Sequence, residues 1–194
     1  MSDLPKVWLA HSYTLNKNFL PDFKQEEFER KLEKVKIFSA YIDKHVDFIL
    51  EKIVHYTGLA WQSKEIPVYI LFDHEKRSIA FPLIIAWKGY PEDRLLVLTH
   101  ELIHIILRDS QDNIFKQNNP MTPLNNKESE AVIWLIVKQV FTDLDQARKT
   151  KFTDEYDRFS QFDEAQKEFF KLVNDFSAKW DIKQKPLKEW LQTL

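Results

Sequence analysis

Apolar residues recur at three- and four-residue intervals through a long stretch in the first third of the chain. From Phe23 to Thr57, charged residues fill many of the positions between them, which is typical of an amphipathic helix. Gly58 follows and can adopt the left-handed conformation that ends a helix. The pattern predicts one long helix, or two helices in line, over 23–57. The apolar positions are Phe28, Leu32, Val35, Phe38, Ile42, Val46, Ile49 and Ile53.

Short runs rich in β-branched and aromatic residues flank this helical stretch and predict strands. One is a short strand over Lys6–Ala10, and another is IPVYILF at 66–72. A polar turn at 73–77 separates the latter from SIAFPLIIAW at 78–87. The last two runs are predicted to pair as a hairpin. Pro82 cannot donate to a β-ladder, so the strand over 78–87 is expected at a sheet edge or to carry a bulge.

The remainder of the chain has helical periodicity. Pro91 suits the first turn of a helix, which is predicted over 92–107 and followed by a polar loop at 108–121. Thr122 and Pro123 resemble a helix start, with the helix running to about Thr142.

These elements predict an α+β fold, dominated by helices, in one domain spanning 1–194. The core is expected over about 66–141, between the long helix at 23–57 and a helical region at 150–194. The small sheet is expected to place an edge strand just before the helix at 92–107.

The composition of the chain limits the partners and the kind of metal site that can be expected. The chain has 194 residues, 44% of them apolar, and a formal net charge of −2. This balance favours neither nucleic acid nor an anionic membrane as a partner. The start of the chain lacks a basic segment followed by an apolar one, so a cytoplasmic location is expected. Because the chain has no cysteine, a transition-metal site must use His, Asp or Glu.

The helix at 92–107 contains the motif His100-Glu101-Leu102-Ile103-His104. Residues four apart share one helix face, so both imidazoles can bind one ion while the Glu101 carboxylate reaches a water on it. The flanking residues are apolar nearly all round the helix, which indicates a buried helix. Burying these polar groups costs several kcal/mol unless a cation or a hydrogen-bond partner compensates them. The alternative is two core histidines bonded to backbone carbonyls.

The sequence alone does not decide which residue is the third metal ligand. Leu107 and Ser110 stand where an HExxHxxGxxH motif needs Gly and His, and no histidine follows His104. The upstream histidines, which are His11, His45, His55 and His74, are expected to be surface or packing residues. The predicted helix downstream offers Glu128 and Glu130 as oxygen donors, and either would complete the His₂Glu set of a catalytic zinc site.

In these motifs the sequence resembles the gluzincin group of zinc metallopeptidases, and most closely its compact forms, the minigluzincins and the ImmA/IrrE-type peptidases. The resemblance covers about 66–141. It implies a zincin-like fold, a bound Zn²⁺ and Glu128 as third ligand, because Glu128-Ser129-Glu130-Ala131 fits the group's ExxA pattern. Val132 departs from the Asp or Asn often found four residues after the ligand. This departure keeps Glu130 as an alternative ligand, with Glu128 then serving as a capping-box residue behind Asn125.

The resemblance also implies a function. His100, His104 and Glu128 would hold Zn²⁺, and Glu101 would act as general base in hydrolysing a peptide or protein substrate. That substrate would add as a strand along the edge strand at 78–87. Tyr156, the only tyrosine after the Glu-bearing helix, is a candidate oxyanion donor, with core packing as its alternative role. The competing functions are a catalytically silent or latent binding protein with this fold, and a metal hydrolase acting on a non-peptide substrate.

Overall fold

The computed structural model describes residues 4–72, 78–87, 90–109 and 124–193. These residues form seven helices and four strands around one apolar core. The helix-dominated α+β architecture is therefore confirmed. In chain order the elements are β1 (Lys6–Ala10), α1 (Tyr13–Phe19), α2 (Gln25–Thr57), β2 (Glu65–Leu71), β3 (Ile79–Ala80), β4 (Leu83–Ala86), α3 (Pro91–Asp109), α4 (Asn126–Arg148), α5 (Phe152–Ser160), α6 (Glu164–Lys179) and α7 (Leu187–Leu191).

Helix α2 is a single helix of 33 residues that buries the predicted apolar stripe. At a rise of 1.5 Å per residue it is about 50 Å long. Gly58 ends it at φ 69°, and its N–H donates to the carbonyl of Val54. The predicted helix and its glycine cap are both confirmed.

The sheet has the order β1-β2-β4-β3, in which β1, β2 and β4 are parallel and β3 is antiparallel to β4. The predicted hairpin between 66–72 and 78–87 is therefore wrong, since β2 and β4 run parallel. The tight turn lies inside the second run instead. Phe81 and Pro82, joined by a cis peptide bond, connect β3 to β4. Because Pro82 lacks an N–H, it serves as a turn residue between two short strands.

This topology changes which strand lies at the edge. Strand β4 is flanked on both sides, and the two edges of the sheet are β1 and the two-residue strand β3. The predicted turn at 73–77, with His74, lies outside the described residues.

Helix α3 follows the sheet and is buried along most of its length. It begins at Pro91, as the sequence predicts, and packs against α2, β3, β4, α4 and α5. The helix start predicted at Thr122 and Pro123 lies outside the described part of the chain. Helix α4 begins at Asn126 with Asn125 as its N-cap.

The C-terminal region forms α5, α6 and the short α7. Helix α6 packs on α4, and an aromatic cluster joins α4, α5 and α6 through Trp134, Phe159 and Phe170. Trp190 of α7 stacks on Trp180, with ring centroids 5.1 Å apart. Of the helices described, none combines the length and apolar character that a membrane crossing requires.

Candidate metal centre

Two histidines of α3 face each other through their Nε2 nitrogens. His100 and His104 lie one helical turn apart, and their Nε2 atoms are 3.1 Å from each other. His100 is buried and His104 is partly exposed. In a hydrogen bond between these two nitrogens one donates and the other accepts, whereas a third group beside both, such as a carboxylate or a cation, can contact each of them.

The carboxylate of Glu130 supplies that third group. Its two oxygens lie 3.3 Å from His100 Nε2 and 3.3 Å from His104 Nε2, respectively. Glu130 is in the second turn of α4, which packs across α3. One ligand atom from each of these three residues lies within 4.8 Å of the other two.

The grouping of these atoms is compatible with a shared zinc ion. With metal–ligand bonds of about 2.0–2.1 Å, neighbouring ligand atoms of a tetrahedron lie about 3.3 Å apart. The two imidazole nitrogens, 3.1 Å apart, are close to this separation, and each of them lies 3.3 Å from a different oxygen of the Glu130 carboxylate. The donor set of two imidazoles and one carboxylate is that of a catalytic zinc site, with a fourth position left for water or substrate.

Glu128 is not the carboxylate that meets the histidines. Its side chain accepts a hydrogen bond from the N–H of Asn125 at 2.8 Å, and its own N–H donates to the Asn125 side chain at 3.0 Å. This capping box is the alternative role considered for Glu128 from the sequence. Because two residues along a helix differ by about 200° in direction, Glu128 and Glu130 face different ways. The structure therefore groups Glu130, and not the predicted Glu128, with the two histidines.

The inner nitrogen of His100 has an uncommon environment. Its Nδ1 is buried and has no hydrogen-bond partner among the described residues, whereas metal-bound histidines usually donate this N–H. Trp134, one turn after Glu130, instead packs on the His100 ring with centroids 4.6 Å apart. The orientation of His100 is thus held by aromatic packing.

The charges of the three residues are strongly coupled. Burial opposes the charge of Glu130, but hydrogen bonds from both histidines outweigh it and lower the pKa of Glu130 to about 2. Burial also opposes the charge of His104, yet the hydrogen bond and charge of Glu130 raise the pKa of His104. Burial lowers the pKa of His100. Of the two histidines, His104 is therefore the one whose pKa is raised by the ionised Glu130 beside it.

Glu101 lies beside this cluster and is 8% exposed. Burial raises the pKa of Glu101 to about 7, with the charge of His104 opposing the rise and that of Glu130 adding to it. A carboxyl group with a pKa near the working pH suits a general base or acid. Glu101 lines the same cavity as the two histidines and Glu130, which is the position its predicted role requires.

The cavity has a volume of about 710 Å³. One wall is the exposed side of α3 with the two histidines and Glu101. Trp134 of α4, Phe159 of α5 and Phe169 of α6 form an apolar wall. A volume of this size holds a short peptide segment or a drug-sized molecule.

Tyr156 is not among the described residues that line this cavity. It is 2% exposed, and its hydroxyl donates to the backbone carbonyl of Trp134 at 3.2 Å. Burial raises the pKa of Tyr156 well above its ordinary value. The predicted oxyanion role is therefore corrected to the alternative, a packing residue of the core.

Sequence reasoning missed Arg94, which lies on the cavity wall. The signal was present, because Arg94, Val97, Glu101 and His104 follow the i, i+3, i+7, i+10 spacing of one helix face. It also missed Trp134, whose contact with His100 depends on how α4 is rotated against α3.

Comparison with known proteins adds no relative. No family model matches the chain, and no curated protein and no solved structure matches it.

Proposed function

We propose that this protein is a zinc-dependent peptidase whose metal ligands are His100, His104 and Glu130. The observation that carries the proposal is the grouping of two imidazole nitrogens, 3.1 Å apart, with the Glu130 carboxylate, which has one oxygen 3.3 Å from each nitrogen. Two imidazoles and one carboxylate are the donor set of a catalytic zinc site. A second support is the position of Glu101 in the same cavity, with its pKa near neutrality.

Bound zinc would supply Lewis acidity, polarising a substrate carbonyl and lowering the pKa of water to about 7. Glu101 accepts the proton of the attacking water and passes it to the leaving amine. Phe159 and Phe169 give the cavity an apolar wall against which the side chains of a substrate can pack. Hydrolysis then needs no covalent intermediate on the protein.

The proposed substrate is a peptide or an extended segment of a protein. Strand β3 (Ile79–Ala80) is one of the two edge strands of the sheet and packs against α3, the helix that carries the motif. An extended peptide can add to such an edge through main-chain hydrogen bonds. In the proposal β3 therefore replaces the whole run at 78–87 as the docking strand.

The test compares the zinc-loaded wild-type protein with its Glu101→Gln variant on a mixture of peptides. We expect both proteins to hold one zinc per chain, measured by atomic emission, and only the wild type to cleave peptides, measured by mass spectrometry. The Glu51→Gln variant, altered at an exposed residue of α2, is the matched control and should cleave as the wild type does. Equal cleavage by Glu101→Gln would refute the role of Glu101, and a protein that binds no zinc would refute the proposal as a whole.

A latent or catalytically silent metal protein is the second candidate. The observation that favours it is the hydroxyl of Tyr156, which is engaged with Trp134 and so leaves the cavity without the predicted oxyanion donor. One zinc per chain together with no cleavage of any peptide in the same experiment would select this candidate. The non-peptide hydrolase is tested by adding ester and amide substrates to that assay.

A further inference from the structure

Arg94 is a buried cation that the proposed zinc chemistry does not use. It is 6% exposed, and its side chain lines the cavity that contains His100 and Glu101. Burial lowers the pKa of Arg94, and a buried guanidinium normally has a carboxylate beside it because the uncompensated charge is costly.

The described surroundings of Arg94 provide no such ion pair. Its Nη1 donates to the backbone carbonyl of Ala86 at 2.9 Å, and its buried Nε has no hydrogen-bond partner. Asp93, the adjacent carboxylate, instead accepts a hydrogen bond from the N–H of Tyr90 at 3.0 Å. Among the described residues, no carboxylate lies within salt-bridge distance of the Arg94 guanidinium. The neutral carbonyl satisfies one donor, and the charge of Asp93 favours the charged form of Arg94 without a direct ion pair.

The hydrogen bond to Ala86 fixes where the guanidinium lies. Ala86 is the last residue of β4, and its N–H is occupied by the hydroxyl of Ser78 at 3.1 Å. The backbone groups of Ala86 are thus already satisfied by side chains. Arg94 is held at the end of the sheet with the rest of its donors unused by the described residues.

We propose that Arg94 binds a carboxylate of the substrate and so selects where the chain is cut; this inference rests on the proposed peptidase function. Guanidinium groups recognise carboxylates through paired, charge-assisted hydrogen bonds. A substrate carboxylate would supply the counter-charge that the protein itself does not provide.

The spacing along α3 sets the distance between this carboxylate and the bond that is cut. Arg94 and Glu101 are seven residues apart, which is about 10 Å along the helix axis. An extended peptide covers about 3.3 Å per residue. For a peptide that lies along α3, the carboxylate would therefore be about three residues from the scissile bond.

Two sources carry this chemistry, the free C-terminus of a peptide and an Asp or Glu side chain within it. Three fluorescent peptide sets distinguish them: peptides with a free C-terminus and no acidic residue, the same peptides amidated, and amidated peptides with a Glu at varied positions. Binding is measured by fluorescence anisotropy on the zinc-loaded Glu101→Gln protein, so the readout does not depend on turnover.

One of the two carboxylate-bearing sets, either the peptides with a free C-terminus or the amidated peptides with a Glu, should bind about 10- to 100-fold more tightly than the neutral amidated set. This is the range expected for a hydrogen-bonded charge. Arg94→Gln should abolish this preference, and Arg94→Lys should retain part of it because the charge remains. Arg108→Gln, at an exposed arginine of the same helix outside the cavity, should keep the full preference. Thermal unfolding checks that each variant is folded. If Arg94→Gln is not folded, the comparison is made with Arg94→Lys instead.

Equal binding of all three sets, or a preference that survives Arg94→Gln, overturns the inference. If wild-type protein cleaves the three sets at equal rates, the peptidase proposal stands and the inference fails. If the protein binds no zinc and cleaves nothing but keeps an Arg94-dependent preference, the peptidase proposal fails and Arg94 remains an anion site.

Discussion

Glutamine in place of Glu130 should abolish most of the stabilisation of this protein by zinc, whereas glutamine in place of Glu128 should not. The Glu130 carboxylate lies 3.3 Å from both imidazole Nε2 atoms. The Glu128 carboxylate is bonded to the N–H of Asn125. Glutamine can keep the capping box at position 128, so that variant changes the charge without disturbing the start of α4.

The expected size of the stabilisation by zinc follows from the linkage between ligand binding and folding. A ligand that binds only the folded state at one hundred times its Kd stabilises that state by about 2.7 kcal/mol. For a chain of this length each kcal/mol raises Tm by about 2–4 °C, so the wild type should gain about 5–11 °C. Loss of a partner that only supports a metal ligand costs up to about 100-fold in affinity. A loss of this size at Glu130 would leave only about 0.4 kcal/mol, or about 1–2 °C.

The assay is differential scanning calorimetry at pH 7 of protein stripped with chelator, with and without zinc. The comparison is the zinc-induced change in Tm of each variant, because Glu130→Gln also removes the contacts of Glu130 with both histidines and so shifts the Tm of the metal-free protein. A full shift in Glu130→Gln, or its loss in Glu128→Gln, would show that the ligand assignment is wrong.

Two further predictions concern groups outside the metal centre. Tyr156→Phe removes the hydrogen bond to the Trp134 carbonyl and should lower the free energy of unfolding by about 0.5–1.5 kcal/mol in urea denaturation; a reduced kcat with unchanged stability would restore the oxyanion role. His45 is 1% exposed, and burial and nearby cations lower its pKa to about 4, so the unfolded chain takes up a proton first as pH falls below 6.5. The free energy of unfolding should drop by up to about 2 kcal/mol between pH 7 and pH 5. This drop should be smaller in His45→Leu and should persist in a variant of the exposed His55. An unchanged drop in His45→Leu would contradict the assignment to His45.

Local signals were enough to predict most of the helices. Helix α2 ends at Gly58, and α3 begins at Pro91, because a glycine cap and a proline at the first turn act within a few residues of themselves. Strand pairing is not local. The parallel pairing of β2 with β4 depends on β3 folding back across two residues at Pro82, and the apolar pattern over 78–87 contains no sign of that break other than the proline itself.

In the candidate site, too, one part could be predicted from local sequence and another could not. His100, Glu101 and His104 lie on one helix, so their proximity follows from the helical repeat. The third ligand comes from α4, and the choice between Glu128 and Glu130 is a rotation of that helix by about 200°. This rotation is set by the contacts of α4 with α3 and α6. The one local clue, the Asn125-x-x-Glu128 capping pattern, assigned Glu128 to the helix end and was outweighed by the family pattern.

The charges of the cluster explain how a buried helix tolerates so many ionisable groups. Without a metal ion, the ionised Glu130 lies beside His104 and raises the pKa of His104, while Glu101 has its pKa near 7. With a dication bound, neutral imidazoles and two ionised carboxylates would sum to zero. Binding a dication with release of protons would therefore limit the unpaired charge in the interior. Arg94 differs from these groups, because no described carboxylate lies within ion-pair distance of it and only the more distant charge of Asp93 favours its charged form.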